Sequence, residues 1–165
     1  MKLVSAFMIV KDEAELVRHT MESFLACGLE LLSVVDNGST DKTLDIIQEY
    51  AGAMNIVIQV ETNIRHHGAL RTMAMVNCKT DWIFYLDGDE TCSTDMPTYL
   101  ANLGDIDPSV YTVRFPKYWT IKDKNHYIAG SQDWQCRLFR NTDGAMFNQK
   151  IHTEPVYSWG NGRER

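Results

Sequence analysis

Short apolar runs alternate with amphipathic segments through the first half of the chain, and this alternation predicts strand–helix units around a parallel sheet. The candidate strands are Leu3 to Val10, Leu31 to Val35, Ile56 to Val60 and Trp82 to Leu86. Between them, Glu13 to Ala26 places Leu16, Val17, Thr20, Phe24 and Leu25 on one face at helical spacing, and Cys27-Gly28 supplies a stop. Thr43 to Tyr50 repeats the pattern with Leu44, Ile46 and Ile47, and Ala69 to Asn77 does so with Leu70, Met73, Ala74 and Met75. After Glu90 the texture loosens around Pro97, Gly104 and Pro108, before Val110 to Tyr118 and Gln135 to Phe139 return as strands.

The apolar run Trp82-Ile83-Phe84-Tyr85-Leu86 stops on Asp87-Gly88-Asp89-Glu90. A strand this apolar belongs inside a sheet, so the acids emerge at its carboxyl end, where open α/β sheets bind ligands. Carboxylates two apart around a glycine suit Mg2+ or Mn2+, hard cations that take oxygen ligands and fill their remaining positions with waters and substrate phosphates. Gly88 lets the backbone turn and a substrate approach closely. The plainer alternative is a loop of solvated acids capping the next helix. A second strand ends at Val34-Val35-Asp36 and runs into Asn37-Gly38-Ser39-Thr40-Asp41. Asp36 is placed there to accept a hydrogen bond from the imide N–H of a uracil base, and equally from a thymine or guanine N–H. Ser39, Thr40 or Asp41 is expected to cap the helix that follows.

With 165 residues, 44% of them hydrophobic, the chain can bury one good core. A net charge of −6 and the absence of a basic stripe argue against nucleic acid as a partner, so an anionic ligand must be met by a metal and by single placed arginines. The four cysteines, Cys27, Cys78, Cys92 and Cys136, stand far apart without a Cys-x-x-Cys pair, which fits reduced thiols acting as small buried hydrophobes in the cytoplasm. Residues 1–10 look like a leader peptide but run straight into Lys11-Asp12-Glu13 without a small-residue cleavage site, and so read as a first strand. No apolar run approaches the ~20 residues that span a bilayer, and the expected location is the cytoplasm, with the inner face of the membrane as an alternative. Tyr118, Trp119, Tyr127, Trp134, Tyr157 and Trp159 make the second half aromatic, as suits a sugar-binding cleft, although core packing would account for each singly.

Together these residues resemble the family 2 glycosyltransferases of the bacterial lipopolysaccharide type. Their first half reads strand, helix, a turn like Val34-Val35-Asp36-Asn37-Gly38-Ser39-Thr40-Asp41, a basic helix and a DxD-type acid pair. The basic helix is matched by His67-Gly68-Ala69-Leu70-Arg71-Thr72-Met73-Ala74, with Thr72 where the family usually has asparagine. Cys136-Arg137-Leu138-Phe139-Arg140-Asn141, Phe147 and Ile151-His152-Thr153-Glu154-Pro155 resemble the family's ending, with Thr153 where glutamate is common. The resemblance implies a GT-A fold: one α/β domain over residues 1–165, with a Rossmann-like, mainly parallel sheet flanked by helices. Residues 1–91 would form its nucleotide-sugar half and 92–165 a looser, aromatic-rich acceptor half. It also implies roles. Val10, Asp12, Asp36, Asn37, Arg71, Asp87 and Gly88 would meet the nucleotide-sugar, with Asp36 on the base and Asp87 on ribose or metal. Asp87, Asp89 and His152 would hold Mn2+ or Mg2+.

The implied reaction is metal-dependent transfer of a sugar from a nucleotide diphosphate, a UDP-sugar by preference, to an acceptor hydroxyl with inversion. A carboxylate must take the acceptor's proton; Asp133, beside Trp134, is the first candidate, followed by Glu154 and then Glu90. The acceptor would be a sugar, a lipid-linked sugar or a glycan. The short second half implies a minimal enzyme, a truncated chain or a homo-oligomer that completes its acceptor site from a neighbour. Two other readings compete. Asp87-x-Asp89-x-Thr91 also fits haloacid-dehalogenase-like phosphatases with Asp87 as nucleophile, and the chain could be a non-catalytic nucleotide-sugar-binding subunit.

Overall fold

The computed structural model describes residues 4–62, 64–121, 126–142, 145–147 and 155–157; for 117–121, 126–133 and 156–157 it describes the backbone alone. Among the described residues, eight strands and four α-helices follow one another as β1 (Val4–Val10), α1 (Val17–Ala26), β2 (Leu31–Asp36), α2 (Thr43–Gln48), β3 (Ile56–Val60), α3 (His67–Met75), β4 (Trp82–Tyr85), α4 (Met96–Ala101), β5 (Thr112–Ile121), β6 (His126–Arg140), β7 (Ala145–Met146) and β8 (Val156–Tyr157). Six strands form one mixed sheet in the order β3-β2-β1-β4-β6-β5, and β7 pairs with β8 separately. The β1–β4 pairings and those of β2 with β1 and β3 are parallel, whereas β6 runs antiparallel to both β4 and β5. This is the expected α/β architecture, with four parallel strands from the apolar runs of the first half.

Both faces of the central strands are buried, which is why these strands read as continuous apolar runs. Ala6, Met8 and Val10 of β1 face one core with Phe24, Leu32, Val34 and Phe84. Phe7 faces the other, where its ring stacks on Tyr85 at 4.9 Å and meets Phe139 and Phe147 edge-on. Helix α1 starts one turn later than its apolar spacing suggests, because Glu13 to Leu16 close as a turn on the Glu13 carbonyl. Its buried face is Val17, Thr20, Met21 and Phe24, while Leu25 is 41% exposed. Met21 lies four residues after Val17 and three before Phe24, so it shares their stripe, and Leu25 lies a further step around the helix. Gly28, at φ +61°, ends the helix as expected.

The second half departs further from its sequence pattern. Helix α4 occupies a stretch read as loop; Pro97 sits in its first turn, where a missing N–H costs nothing. Strands β5 and β6 extend well beyond the predicted runs and pair with two register shifts, between Val113 and Arg114 and between Lys117 and Trp119. Since Phe84 pairs with Leu138 and Trp82 with Arg140, the earlier part of β6 projects past the carboxyl end of β4. The β5–β6 ribbon therefore stands on the side of the sheet where the acids emerge. Among the described residues no helix is long and apolar enough to cross a membrane.

Candidate active site

The chain moves from β1 to β2 and β3 on one side of the sheet and then returns to place β4 on the other side of β1. The carboxyl ends of β1 and β4 therefore flank the switch point, the place where a doubly wound sheet opens a crevice. A cleft of about 220 Å³ lies there, lined by Val10, Lys11, Asn37, Arg71, Asp87 and Asp89 among others. Gly88 forms its floor for a steric reason: a Cβ at this position would stand 2.8 Å from Val10 Cγ1 and 3.2 Å from Glu13 Cγ. Its φ is not in the left-handed region, so close approach to Val10, not turn freedom, is what calls for glycine. The Gly88 carbonyl in turn accepts a buried hydrogen bond from Thr20 Oγ1 at 2.9 Å, which fixes the acid loop to α1.

On the β1–β2 side the polar side chains bind the backbone of their own and neighbouring loops. Asp36 is fully buried, and its carboxylate accepts from the Gly38 and Ser39 amides at 3.1 and 3.0 Å and from the Ser39 hydroxyl. Asp12 holds a left-handed φ of +54°, a conformation aspartate tolerates better than most residues, and accepts from the Thr40 amide at 2.7 Å. Asn37 exchanges two hydrogen bonds with the backbone of Ile64. Asp41 accepts from the Thr43 and Ala14 amides just ahead of α2, whose N-cap position is Lys42 and carries no side-chain cap; the Asp41 carboxyl is held below the usual range chiefly by the Thr43 hydroxyl. At α3 the His66 imidazole accepts from the Ala69 amide at 3.1 Å, which starts that helix at His67, two residues before the predicted point.

On the β4 side the charges face one another and the cleft. Arg71, 6% exposed on α3, donates from Nη2 to both oxygens of Asp87 at 2.7 Å. Arg137, on β6, donates from Nε and Nη2 to the two oxygens of Glu90 at 2.9 and 2.7 Å, and its Nη2 lies 3.9 Å from Asp87. Glu90 Oε2 also accepts from the Asp87 amide at 3.1 Å. The two guanidiniums lie 5.4 and 4.9 Å from the centre of the Tyr85 ring. Burial alone would lower Arg137, but the hydrogen bonds it donates to the Glu90 carboxylate more than reverse it and hold the guanidinium above its ordinary range. Glu90 is thus a partner of Arg137, a poor position for the general base considered above. Arg137 stands in the ending motif quoted above but was given no role there; the signal for one was a cation between Cys136 and Leu138 in an otherwise apolar strand.

Asp89 is exposed at the rim of the same cleft. Among the described residues no three His, Cys, Asp or Glu side chains gather to hold an ion unaided. The donor set fits Mg2+ or Mn2+ all the same, because such ions take one or two carboxylates and complete their shell with waters and phosphate oxygens. Asp133 lies on the projecting part of β6, its backbone opposite Lys117, next to a Trp134 that is 52% exposed. His152 and Glu154 fall outside the described residues. The phosphatase alternative requires Asp87 as a nucleophile; both its oxygens instead accept from Arg71, and its strand is the fourth of the fold. The structure therefore brings Val10, Asn37, Arg71, Asp87, Gly88 and Asp89 to one cleft, and sets Asp12 in the loop after β1 and Asp36 at the end of β2 beside it.

The sequence and the fold have known relatives. The chain is 37% identical over 95 residues to an uncharacterised glycosyltransferase of Rickettsia bellii, covering 58% of this chain and 30% of that protein. Its fold is shared with S. aureus TarS 1-349, solved in complex with UDP-GlcNAc, at a TM-score of 0.55 and 22% identity, over 60% of this chain and 30% of that one. It is shared too with the mannosyltransferase PcManGT from Pyrobaculum calidifontis, solved with GDP-Man and Mn2+, at a TM-score of 0.56 and 20% identity, over 67% and 34% of the two chains. The chain thus spans about a third of the length of these proteins. The family model described as Glycosyl transferase family 2 matches residues 5–164, and the chain belongs to that family.

Proposed function

We propose that this chain is a metal-dependent glycosyltransferase that moves a sugar from a nucleotide diphosphate, a UDP-sugar by preference, to an acceptor hydroxyl with inversion. The observation that carries this reading is the cleft at the switch point, where Asp87 and Asp89 flank a glycine packed against Val10 and Arg71 secures Asp87. Asp89 and Asp87, with His152, would hold Mn2+ or Mg2+, whose charge neutralises the departing diphosphate. Support comes from the solved structures that share the fold, one in complex with UDP-GlcNAc and the other with GDP-Man and Mn2+.

The nucleotide would enter between the β1 and β2 loops, with Asp12, Asp36 and Asn37 shaping the base and ribose side. The acceptor would approach from the β5–β6 ribbon, where Trp134 offers an exposed ring face. As the acceptor oxygen attacks the anomeric carbon, the bond to the diphosphate breaks with its electron pair and Asp133 takes the hydroxyl proton. Residues 1–91 serve the donor and 92–165 the acceptor, a sugar, lipid-linked sugar or glycan whose hydroxyl reaches Asp133. The test is thermal melting with a panel of nucleoside diphosphates with and without Mn2+, followed by transfer assays on the nucleotide that binds. A Mn2+-dependent rise with UDP and release of UDP from its sugar are expected. No rise with any nucleotide would reject the reading, and binding without transfer to any sugar acceptor would favour a binding subunit.

A further inference from the structure

The cysteines are of two kinds. Cys78 and Cys136 are buried and donate their S–H to the carbonyls of Ala6 and Leu138. Cys27 and Cys92, far apart in sequence, instead meet with their sulfurs 3.8 Å apart, and both remain partly exposed. The pair is held from both sides. Cys27 closes α1, its amide bonded to the carbonyls of Ser23 and Phe24, and the Cys92 amide donates to Ser23 Oγ at 3.4 Å, one turn earlier on the same helix. Cys92 also opens onto a cavity of about 420 Å³, separate from the acid cleft and lined by His19, Glu22, Ser23, Thr94 and Pro97 among others. A small solute can therefore reach this sulfur, and Thr91, Ser93, Thr94 and Asp95 around it are exposed.

We propose that Cys27 and Cys92 form a vicinal dithiol that a peroxide oxidises reversibly to an intramolecular disulfide, with Cys92 the attacking thiol and Cys27 the resolving one. The Cys92 sulfur attacks one peroxide oxygen; the O–O bond breaks, the departing oxygen leaves as water after taking a proton, and Cys92 becomes a sulfenic acid. The Cys27 sulfur then attacks the sulfenyl sulfur; the S–S bond forms, the S–O bond breaks, and a second water departs with the Cys27 proton. Two thiols lose two electrons and two protons, and one hydrogen peroxide becomes two waters. The sulfurs must close from 3.8 Å to about 2.05 Å, a movement the exposed loop on the Cys92 side can supply.

The charges agree with this order of attack. The Cys27 S–H, and after it the Ser23 hydroxyl, hold the Cys92 thiol down to about 7 against the opposing effect of burial, while Cys27 is pushed up because it keeps the shared proton. The bond would fasten the end of α1 to the segment that follows Asp89, alongside the existing link from Thr20 to Gly88. The inference does not depend on the identity of the donor nucleotide.

The test is to treat the reduced full chain with stoichiometric hydrogen peroxide, quench, alkylate and map peptides without reduction. Free thiols are expected to fall from four to two, with a Cys27–Cys92 crosslink that dithiothreitol reverses. In Cys27→Ser, dimedone is expected to capture Cys92 as the sulfenic acid with no crosslink formed. Retention of four thiols, a disulfide through Cys78 or Cys136, or a bond between two chains would overturn the proposal. Failure of dimedone to label Cys92 in a folded Cys27→Ser protein would do the same.

Discussion

The loops after β1 and β2 and the loop after β4 are all rich in acids and all lie at the ligand edge of one sheet, yet they use their carboxylates in opposite ways. After β2, Asp36 is buried and accepts from the two amides and one hydroxyl of its own turn, and Asp41 accepts from backbone amides of two loops. After β4, Asp87 and Glu90 are met by arginines from two distant elements, and Asp89 reaches the cleft rim. The first arrangement makes a scaffold, because backbone N–H donors fix a carboxylate without adding net charge. The second makes a charged surface whose strength is set by how many arginines balance the acids. An acid at the carboxyl end of a strand can thus support the site or form it, and its burial and donors tell which.

Substitutions on the two sides should therefore separate. The largest effect is expected from Asp89→Ala, which should lower transfer by about 100-fold or more, the scale of losing one partner of developing charge, while changing stability by less than ~0.5 kcal/mol. Parallel melting and activity measurements check it; wild-type transfer in the variant would break the contrast between the loops. Arg137→Ala should cost about 3–5 kcal/mol, because it strands Glu90, whose side chain is 10% exposed. For a domain of this size that is a fall in Tm of roughly 6–20 °C. A variant with both Arg137→Met and Glu90→Leu should recover much of that loss, whereas no recovery would mean the pair is not what couples β6 to the acid loop.

Asp36→Ala should destabilise by about 1–3 kcal/mol, since the Gly38 and Ser39 donors lose their acceptor. A base-contacting Asp36 would also lose nucleotide affinity, so denaturant unfolding and UDP titration of the same protein sharpen its assignment. Thr20→Val should cost about 1 kcal/mol by removing the hydroxyl that ties α1 to Gly88. Its folding is expected to remain two-state, and a loss of nucleotide binding larger than the loss of stability would show that this link positions the acid loop.

The parallel strands and the acid pair were legible in the residues, and what was not legible has physical reasons. The four parallel strands are legible because strands buried on both faces must be apolar throughout, as Trp82 to Tyr85 are. The acid pair is legible because it directly ends such a run. The second half is harder, since aromatic and polar residues interrupt the alternation of β5 and β6, and since Pro97 signals a break equally well before a helix or within a loop. The division of labour between Asp36 and Asp87 is invisible at the level of residue type. It depends on Arg71 and Arg137 arriving from α3 and β6, and on Cys27 finding Cys92, contacts that only the closed fold creates.

The claim that the acid loop after β4 is the metal-bearing half of the site is tested most directly by calorimetric titration of UDP into the wild-type chain and Asp89→Ala, each with and without Mn2+. Mn2+ is expected to tighten UDP binding to the wild type and to leave Asp89→Ala unchanged, with the two proteins melting within about a degree or two of each other. Equal tightening in the two proteins would contradict it, and would move the cation away from this loop.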